Sequence, residues 1–194
     1  MPRLVGTKKT KIAIFISGNG SNLKNLILHS LKKNSKYEIC LVISNKAKAK
    51  GLNFAKKFKI KKKFISYQNN RIAEQKILNV IKKDKIELIC LAGFMKILSS
   101  NFIKKFRGKI LNIHPSLLPK YKGLNTHQRA LDNNEKYSGC TVHLVNNRLD
   151  SGKIILQKRV KIFKKDNSQS LGKRVLKKEH LIYPKAIKKV ISNL

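Results

Sequence analysis

Short runs of β-branched and other apolar residues alternate with longer stretches of helical period, and this alternation constrains the fold more than any other feature of the chain. Ile12-Ala13-Ile14-Phe15-Ile16 is a strand-length run with no polar position, the pattern of a strand buried on both faces. It ends in Ser17-Gly18-Asn19-Gly20. A helical period follows from Ser21 to about Lys33, with Leu23, Leu26, Ile27 and Leu31 on one side. Ile39–Ile43 is a second buried strand and Lys46–Phe58 a second helix. A short strand near Phe64-Ile65 precedes a helix over Arg71–Lys83. Leu88–Ala92 and Ile110–Ile113 are further strands, the latter stopped by Pro115. Strands around Thr141–Val145 and Ile154–Gln157 lead to a final helix from about Ser168. Strand–helix alternation of this kind requires crossovers, so the expected fold is a single doubly wound α/β domain with a mostly parallel, Rossmann-like sheet. Ligands of such a sheet sit at the carboxyl ends of its strands.

Composition sets bounds on function. The 194 residues contain 45 Lys and Arg against 9 Asp and Glu, a net charge of +36. Such a surplus raises the possibility of a nucleic-acid partner. Yet only seven of these cations are arginine, the residue whose planar donor fork suits base and phosphate recognition, and the lysines are spread through every segment. The charge therefore reads as a solvated coat, with no specific nucleic acid expected. Cys40, Cys90 and Cys140 are far apart among apolar neighbours, without metal-ligand spacing, and read as reduced, buried thiols; no metal is expected. The start, Met1 to Lys8, is basic but lacks the apolar run of a signal peptide, and no stretch is long and apolar enough for a membrane span. A cytoplasmic protein acting on small molecules, as monomer or homodimer, is the expectation.

Two sites carry chemistry. Gly18-Asn19-Gly20-Ser21-Asn22 joins the first strand to the first helix, where glycines let backbone amides converge on an anion and the helix N-terminus favours negative charge. Leu23 stands where a dinucleotide fingerprint needs its third glycine, so the turn is either a cradle for one phosphate or an ordinary capped βα turn. In Asn112-Ile113-His114-Pro115, residues two apart on a strand face the same way, and Pro115 keeps His114 extended. A carboxamide donor beside an imidazole suits acyl-type transfer, though the pair could also simply close the strand. Asp150, in Asn147-Arg148-Leu149-Asp150-Ser151-Gly152, is either a turn residue or a carboxylate that raises the pKa of a nearby imidazole and keeps it protonated at neutral pH. His29, His127, His143 and His180 read as surface or core residues, with His127 left open.

Taken together, Ile16–Leu23, Leu91–Leu98, Leu111–Pro119 and Leu149–Gly152 resemble the phosphoribosylglycinamide formyltransferase family over about Lys11–Tyr183, in that family's order and spacing. The resemblance implies a flexible basic segment over residues 1–10 and a formyltransferase domain over 11–194. It implies 10-formyltetrahydrofolate as co-substrate and the glycine amine of glycinamide ribonucleotide as acceptor, in de novo purine synthesis. By the same resemblance Asn112 and His114 would bracket the formyl oxygen, with Asp150 supporting the imidazole. Gly20, Ser21, Asn22 and Glu179 would hold the ribonucleotide, and Arg71, Met95, Lys96, Ile97, Leu98 and Asn112 the folate. Lys96 stands where the family pattern has arginine, and the chain ends at Leu194 without the tail of longer members.

The alternatives are a formyltetrahydrofolate deformylase-type hydrolase and, in another class, a basic nucleic-acid-binding module. The first normally carries an N-terminal regulatory domain, and only some ten residues precede the first strand here. The second calls for aromatic residues interleaved with basic ones, whereas Phe and Tyr fall mainly in the strands, helices and turns.

Overall fold

The structure, a computed structural model, describes residues 8–193. Its elements in chain order are β1 (Thr10–Ile16), α1 (Ser21–Ser30), β2 (Tyr37–Ser44), α2 (Leu52–Lys57), β3 (Lys61–Phe64), α3 (Asn70–Lys83), β4 (Leu88–Leu91), α4 (Ser100–Lys105), β5 (Lys109–His114), α5 (Thr126–Asp132), β6 (Tyr137–Leu144), β7 (Ile154–Lys161) and α6 (Ser168–Ile191). The strands form one sheet in the order β3-β2-β1-β4-β5-β6-β7. Pairings among β1 to β5 are parallel, and β6 and β7 add as antiparallel edge strands. The expected single-domain, mostly parallel α/β fold is the one observed. Of the basic segment expected over residues 1–10, residues 1–7 lie outside the described residues, and Thr10 already pairs with Tyr37 in β1.

The apolar run of β1 is continuous because both faces are covered. Ile12, Ile14 and Ile16 point into a core shared with α1, α2 and α6, while Ala13 and Phe15 point into a second core shared with α3 and α4. All five are fully buried, and each Ile or Phe so placed contributes about 1.5–3 kcal/mol. After β1 the chain steps outward to β2 and β3, then returns past β1 to β4 and β5. The carboxyl ends of β1, β4 and β5 therefore flank the point where the order reverses.

The long α6 contains Pro184, which has no amide hydrogen to give the carbonyl of His180 four residues back. Asn25 Nδ2 donates to that carbonyl at 2.8 Å, which ties α1 to α6 at the level of the glycine turn. Tyr183, in the same stretch, is fully buried and its hydroxyl reaches the carbonyls of Leu91 (2.9 Å) at the end of β4 and Leu111 (3.3 Å) within β5.

Several boundaries differ from the sequence reading. The second helix begins at Leu52 instead of Lys46, because the Gly51 amide donates to the Gly18 carbonyl (3.0 Å) and draws the preceding loop onto the glycine turn. The third strand is Lys61–Phe64, an edge strand with every residue exposed, so it carries no apolar signal. The first helix stops at Ser30, and Leu31, expected on its apolar face, is 66% exposed. Helices α4 and α5 were not legible at all; each buries only one or two side chains. Cys90 and Cys140 are buried and Cys40 half-buried, none in a disulfide. Burial pushes the Cys40 thiol up to about 11 and Cys140 up to about 12, so both stay protonated near neutral pH.

Candidate active site

A cleft of about 760 Å³ opens along the carboxyl ends of β4 and β5. Asn112 and His114 line its floor from the end of β5, as the two-residue spacing predicted. Beyond them the chain turns at Pro115 and runs to Tyr121, whose carbonyl returns to His114, and to Gly123, whose amide meets Asp150.

Four side chains meet here. His114 is 5% exposed, with Nε2 at 2.9 Å from the Tyr121 carbonyl and Nδ1 at 3.3 Å from Asp150 Oδ2. Asp150 sits at the turn that sequence could not place, in a left-handed conformation (φ 46°) that an Asp tolerates better than most residues. Its Oδ2 also accepts the Gly123 amide at 2.9 Å, and its Oδ1 lies 3.4 Å from Asn112 Nδ2 and 3.5 Å from His143 Nε2. His143 stands directly opposite Asn112 across the β5–β6 pair, with Nε2 at 3.3 Å from Asn112 Nδ2 and Nδ1 at 2.8 Å from the Leu144 carbonyl. The His143 ring, held at one nitrogen by the Leu144 carbonyl, stands with the other beside the Asn112 amide and Asp150 and so fixes that amide's orientation. Sequence reasoning gave His143 a core or surface role. Its signal was a histidine in an apolar strand, but nothing in the sequence sets the register that puts it beside Asn112.

The titration of the cluster departs from expectation. Burial lowers the His114 pKa below its ordinary value, and it outweighs the Tyr121 carbonyl and the Asp150 carboxylate, which both favour the charged ring. Burial thus works against the charged ring that the Asp150 argument alone implied, while both ring nitrogens stand against acceptors, the Tyr121 carbonyl and the Asp150 carboxylate. For Asp150, burial acts upward, but the hydrogen bonds from His143 and the Gly123 amide and the charge of the imidazoles leave it below the usual carboxylate range. The site thus pairs a carboxylate held below its usual range with an imidazole buried against it. His127, left open by the sequence, lines the cleft, and burial, then the charge of His114, lowers its pKa.

One end of the cleft reaches Asn22 and Glu179. Asn22 Nδ2 donates to Glu179 Oε2 at 2.6 Å, and burial raises the Glu179 pKa against the pull of that hydrogen bond. Gly20 and Ser21 are not in the lining; they form the mouth of the glycine turn beside it. Gly20 caps α1 at φ 73° with no side-chain cap from Ser21 or Asn22, so the first amides of α1 have no side-chain acceptor there. A Cβ on Gly20 would lie 2.6 Å from the Gly51 Cα, which explains why glycine is required there and why Gly51 belongs to the turn although sequence did not mark it.

The other end is walled by Met95, Lys96, Ile97 and Leu98 after β4, facing Leu124, Val145 and Leu149. Met95, Ile97, Leu124 and Leu149 are all at least half exposed, which makes this the apolar end. Arg71 is exposed in the first turn of α3 and is not part of the lining. Among the described residues, no group of three His, Cys, Asp or Glu is arranged to hold a metal ion. No described helix is long and apolar enough to cross a membrane.

Known proteins bear on this arrangement. The profile of the family described as formyl transferase matches residues 10–187. A phosphoribosylglycinamide formyltransferase from Haemophilus influenzae is 44% identical over 181 residues, covering 92% of this chain and 85% of the relative. The trifunctional purine biosynthetic protein adenosine-3 of Bos taurus is 44% identical over 191 residues, but this chain spans only 19% of its length. The crystal structure of the phosphoribosylglycinamide formyltransferase from Brucella melitensis superposes with a TM-score of 0.90 at 44% identity, covering 94% of this chain and 96% of that one.

Proposed function

Since the chain belongs to the formyl transferase family, we propose that it transfers the formyl group of 10-formyltetrahydrofolate to the glycine amine of glycinamide ribonucleotide. The observation that carries the reading is the convergence of Asn112, His114 and Asp150 midway between an apolar wall and a polar end built from Asn22 and Glu179. A flat, apolar folate ring suits the wall formed by Met95, Lys96, Ile97 and Leu98. The amides at Gly20, Ser21 and Asn22 suit the ribonucleotide phosphate, and Glu179 the hydroxyl groups of its sugar. Arg71, outside the cleft, would meet only the outer part of a folate that extends past the rim.

The chemistry follows from the protonation states. The acceptor amine attacks the formyl carbon, and the carbonyl oxygen becomes an oxyanion. One Nδ2 hydrogen of Asn112 donates to it, while the other, shared between His143 and Asp150, holds the carboxamide in orientation. The amine must lose a proton as the new C–N bond forms, and the His114–Asp150 pair takes it up, the carboxylate stabilising the imidazolium. When the bond to the folate nitrogen breaks, that nitrogen takes a proton back, so the ring returns to neutral and no net acid is released.

A deformylase would use the same side chains with water in place of the amine. The relatives named as transferases favour transfer. The deciding experiment incubates the protein with 10-formyltetrahydrofolate, with and without glycinamide ribonucleotide, and follows products by mass. Formylated ribonucleotide only when the acceptor is present supports the proposal; equal release of free formate without acceptor refutes it. The same reading has a cytoplasmic monomer or homodimer that serves small anionic substrates, with no specific nucleic-acid partner.

A further inference from the structure

The segment from Gly93 to Ser99 walls the apolar end of the cleft without belonging to any helix or strand. Two side chains grip it from below. Phe94 is buried edge-on between Phe15 and Tyr67, with ring centroids 5.5 Å apart in each pair, and Leu98 is 6% exposed. Between them Met95 and Ile97 are 60% and 71% exposed, so packing alone does not fix the backbone that carries them.

Polar anchors hold its two ends. At the first, Ser17 Oγ accepts the Met95 amide at 2.8 Å and donates to Asn45 Oδ1 at 2.5 Å, while the Ser17 amide donates to the Gly93 carbonyl at 3.0 Å. At the second, Glu74 Oε1 accepts the Ser99 amide at 2.7 Å and Glu74 Oε2 accepts the Ser99 hydroxyl. That hydroxyl in turn accepts the Phe102 amide at 3.1 Å and caps α4. Glu74 is 5% exposed, on the inward face of α3 beside Ala73 and Ile77, where an apolar residue would match its neighbours. A buried carboxylate loses its hydration and persists only when its oxygens find donors. Both donors here come from Ser99. The helix thus carries on its core face a carboxyl group whose hydrogen bonds, among the described residues, all go to the end of the wall.

We propose that Glu74 is a positioning residue for the folate: by fixing Ser99 it sets the span of Met95–Leu98 and so sets folate affinity, without touching the reacting atoms. This rests on the reading that Met95–Leu98 bind folate. Removing the carboxylate leaves the Ser99 amide unpaired and the segment free to leave its binding-competent form. If that form falls to about one tenth of the population, apparent folate affinity falls about tenfold, with chemistry unchanged once folate is bound.

The test measures kcat, both KM values and the Kd of a non-transferring folate analogue for wild type, Glu74→Ala, Glu74→Gln and Glu74→Asp. Gln can still accept the Ser99 amide and donate to its hydroxyl; Asp keeps the charge but loses reach. Glu74→Ala is expected to raise the folate KM and Kd about tenfold, with kcat and the ribonucleotide KM within about twofold. Glu74→Gln should recover most of the loss, and Glu74→Asp should fall between. If Glu74→Ala does not fold, Glu74→Asp carries the comparison. An unchanged folate Kd in a folded variant, or an equal rise in both KM values, overturns the proposal. Amide resonances of Met95–Leu98 in the wild type separate the two levels of inference. If they do not move when the analogue binds, the folate reading itself fails. If they move while Glu74→Ala and Glu74→Asp bind as tightly as wild type, only the role of Glu74 falls.

Discussion

Replacing Gly20 with alanine tests whether the first βα turn is a substrate cradle, and the structure supplies the magnitude. Gly20 has φ 73°, a left-handed conformation that costs a residue with a Cβ about 1–2 kcal/mol. The new Cβ would also stand 2.6 Å from the Gly51 Cα, a contact with backbone on both sides, so the two turns must part by roughly 1 Å to restore ordinary contact. Overpacking of this kind adds about 1–3 kcal/mol. The total, about 2–5 kcal/mol, should lower Tm by about 4–20 °C in a protein of this size and still leave a folded enzyme at room temperature. A displacement of roughly 1 Å at a binding turn lowers productive binding by on the order of 100-fold. Steady-state kinetics on the folded variant should therefore show a large rise in KM for the ribonucleotide and little change in that for the folate, whose wall lies at the other end of the cleft. Equal changes in both, or none with the expected drop in Tm, would refute the assignment of the turn to the phosphate.

The pH dependence carries a definite sign. Because the folded pKa of His114 lies below 6.5, its contribution to stability is lost as pH falls from about 6.5 through the folded value; the difference in Tm between wild type and His114→Gln should shrink or invert across that window. Asp150, depressed below 3.8, instead loses its contribution only below about pH 4. Asp150→Asn removes a charge that raises the His114 pKa, so the acid limb of kcat/KM should move to lower pH, and a stationary limb would separate the two groups. Tyr183→Phe deletes one hydroxyl shared by the Leu91 and Leu111 carbonyls and should cost about 1 kcal/mol, read as a small drop in Tm with kinetics preserved. If the +36 charge is a solvated coat that also steers anionic substrates, kcat/KM should fall modestly with added salt while duplex DNA binds weakly and unspecifically. Tight, sequence-selective binding at physiological salt would revive a nucleic-acid role.

What was legible in the sequence tracks what burial and local period can encode. β1 announced itself because five consecutive residues pack into two cores, and the Asn112/His114 pair because strand period places them on one face. Parts built by register or by long-range contact stayed hidden. His143 reaches Asn112 only through antiparallel pairing of β5 with β6, and Asp150 reaches His114 only when its loop folds over Gly123. Gly51 matters through its contact with Gly20, 31 positions away, and Glu74 through Ser99, so neither leaves a local trace. The upward pull of Asp150 on the His114 pKa could be argued from a motif, whereas the depth of burial that opposes it could not.

The most direct test of the central claim is a single-turnover experiment with an isotopically labelled formyl group on the folate, comparing wild type with His114→Ala. Removing a positioned acid–base group typically slows chemistry by about 100- to 10,000-fold. The account predicts that in the wild type the label arrives on the ribonucleotide amine in proportion to folate consumed, and that His114→Ala binds the folate as tightly but transfers it at least about 100-fold more slowly. Transfer by His114→Ala at a near wild-type rate, or label released as formate in the presence of saturating acceptor, would contradict it.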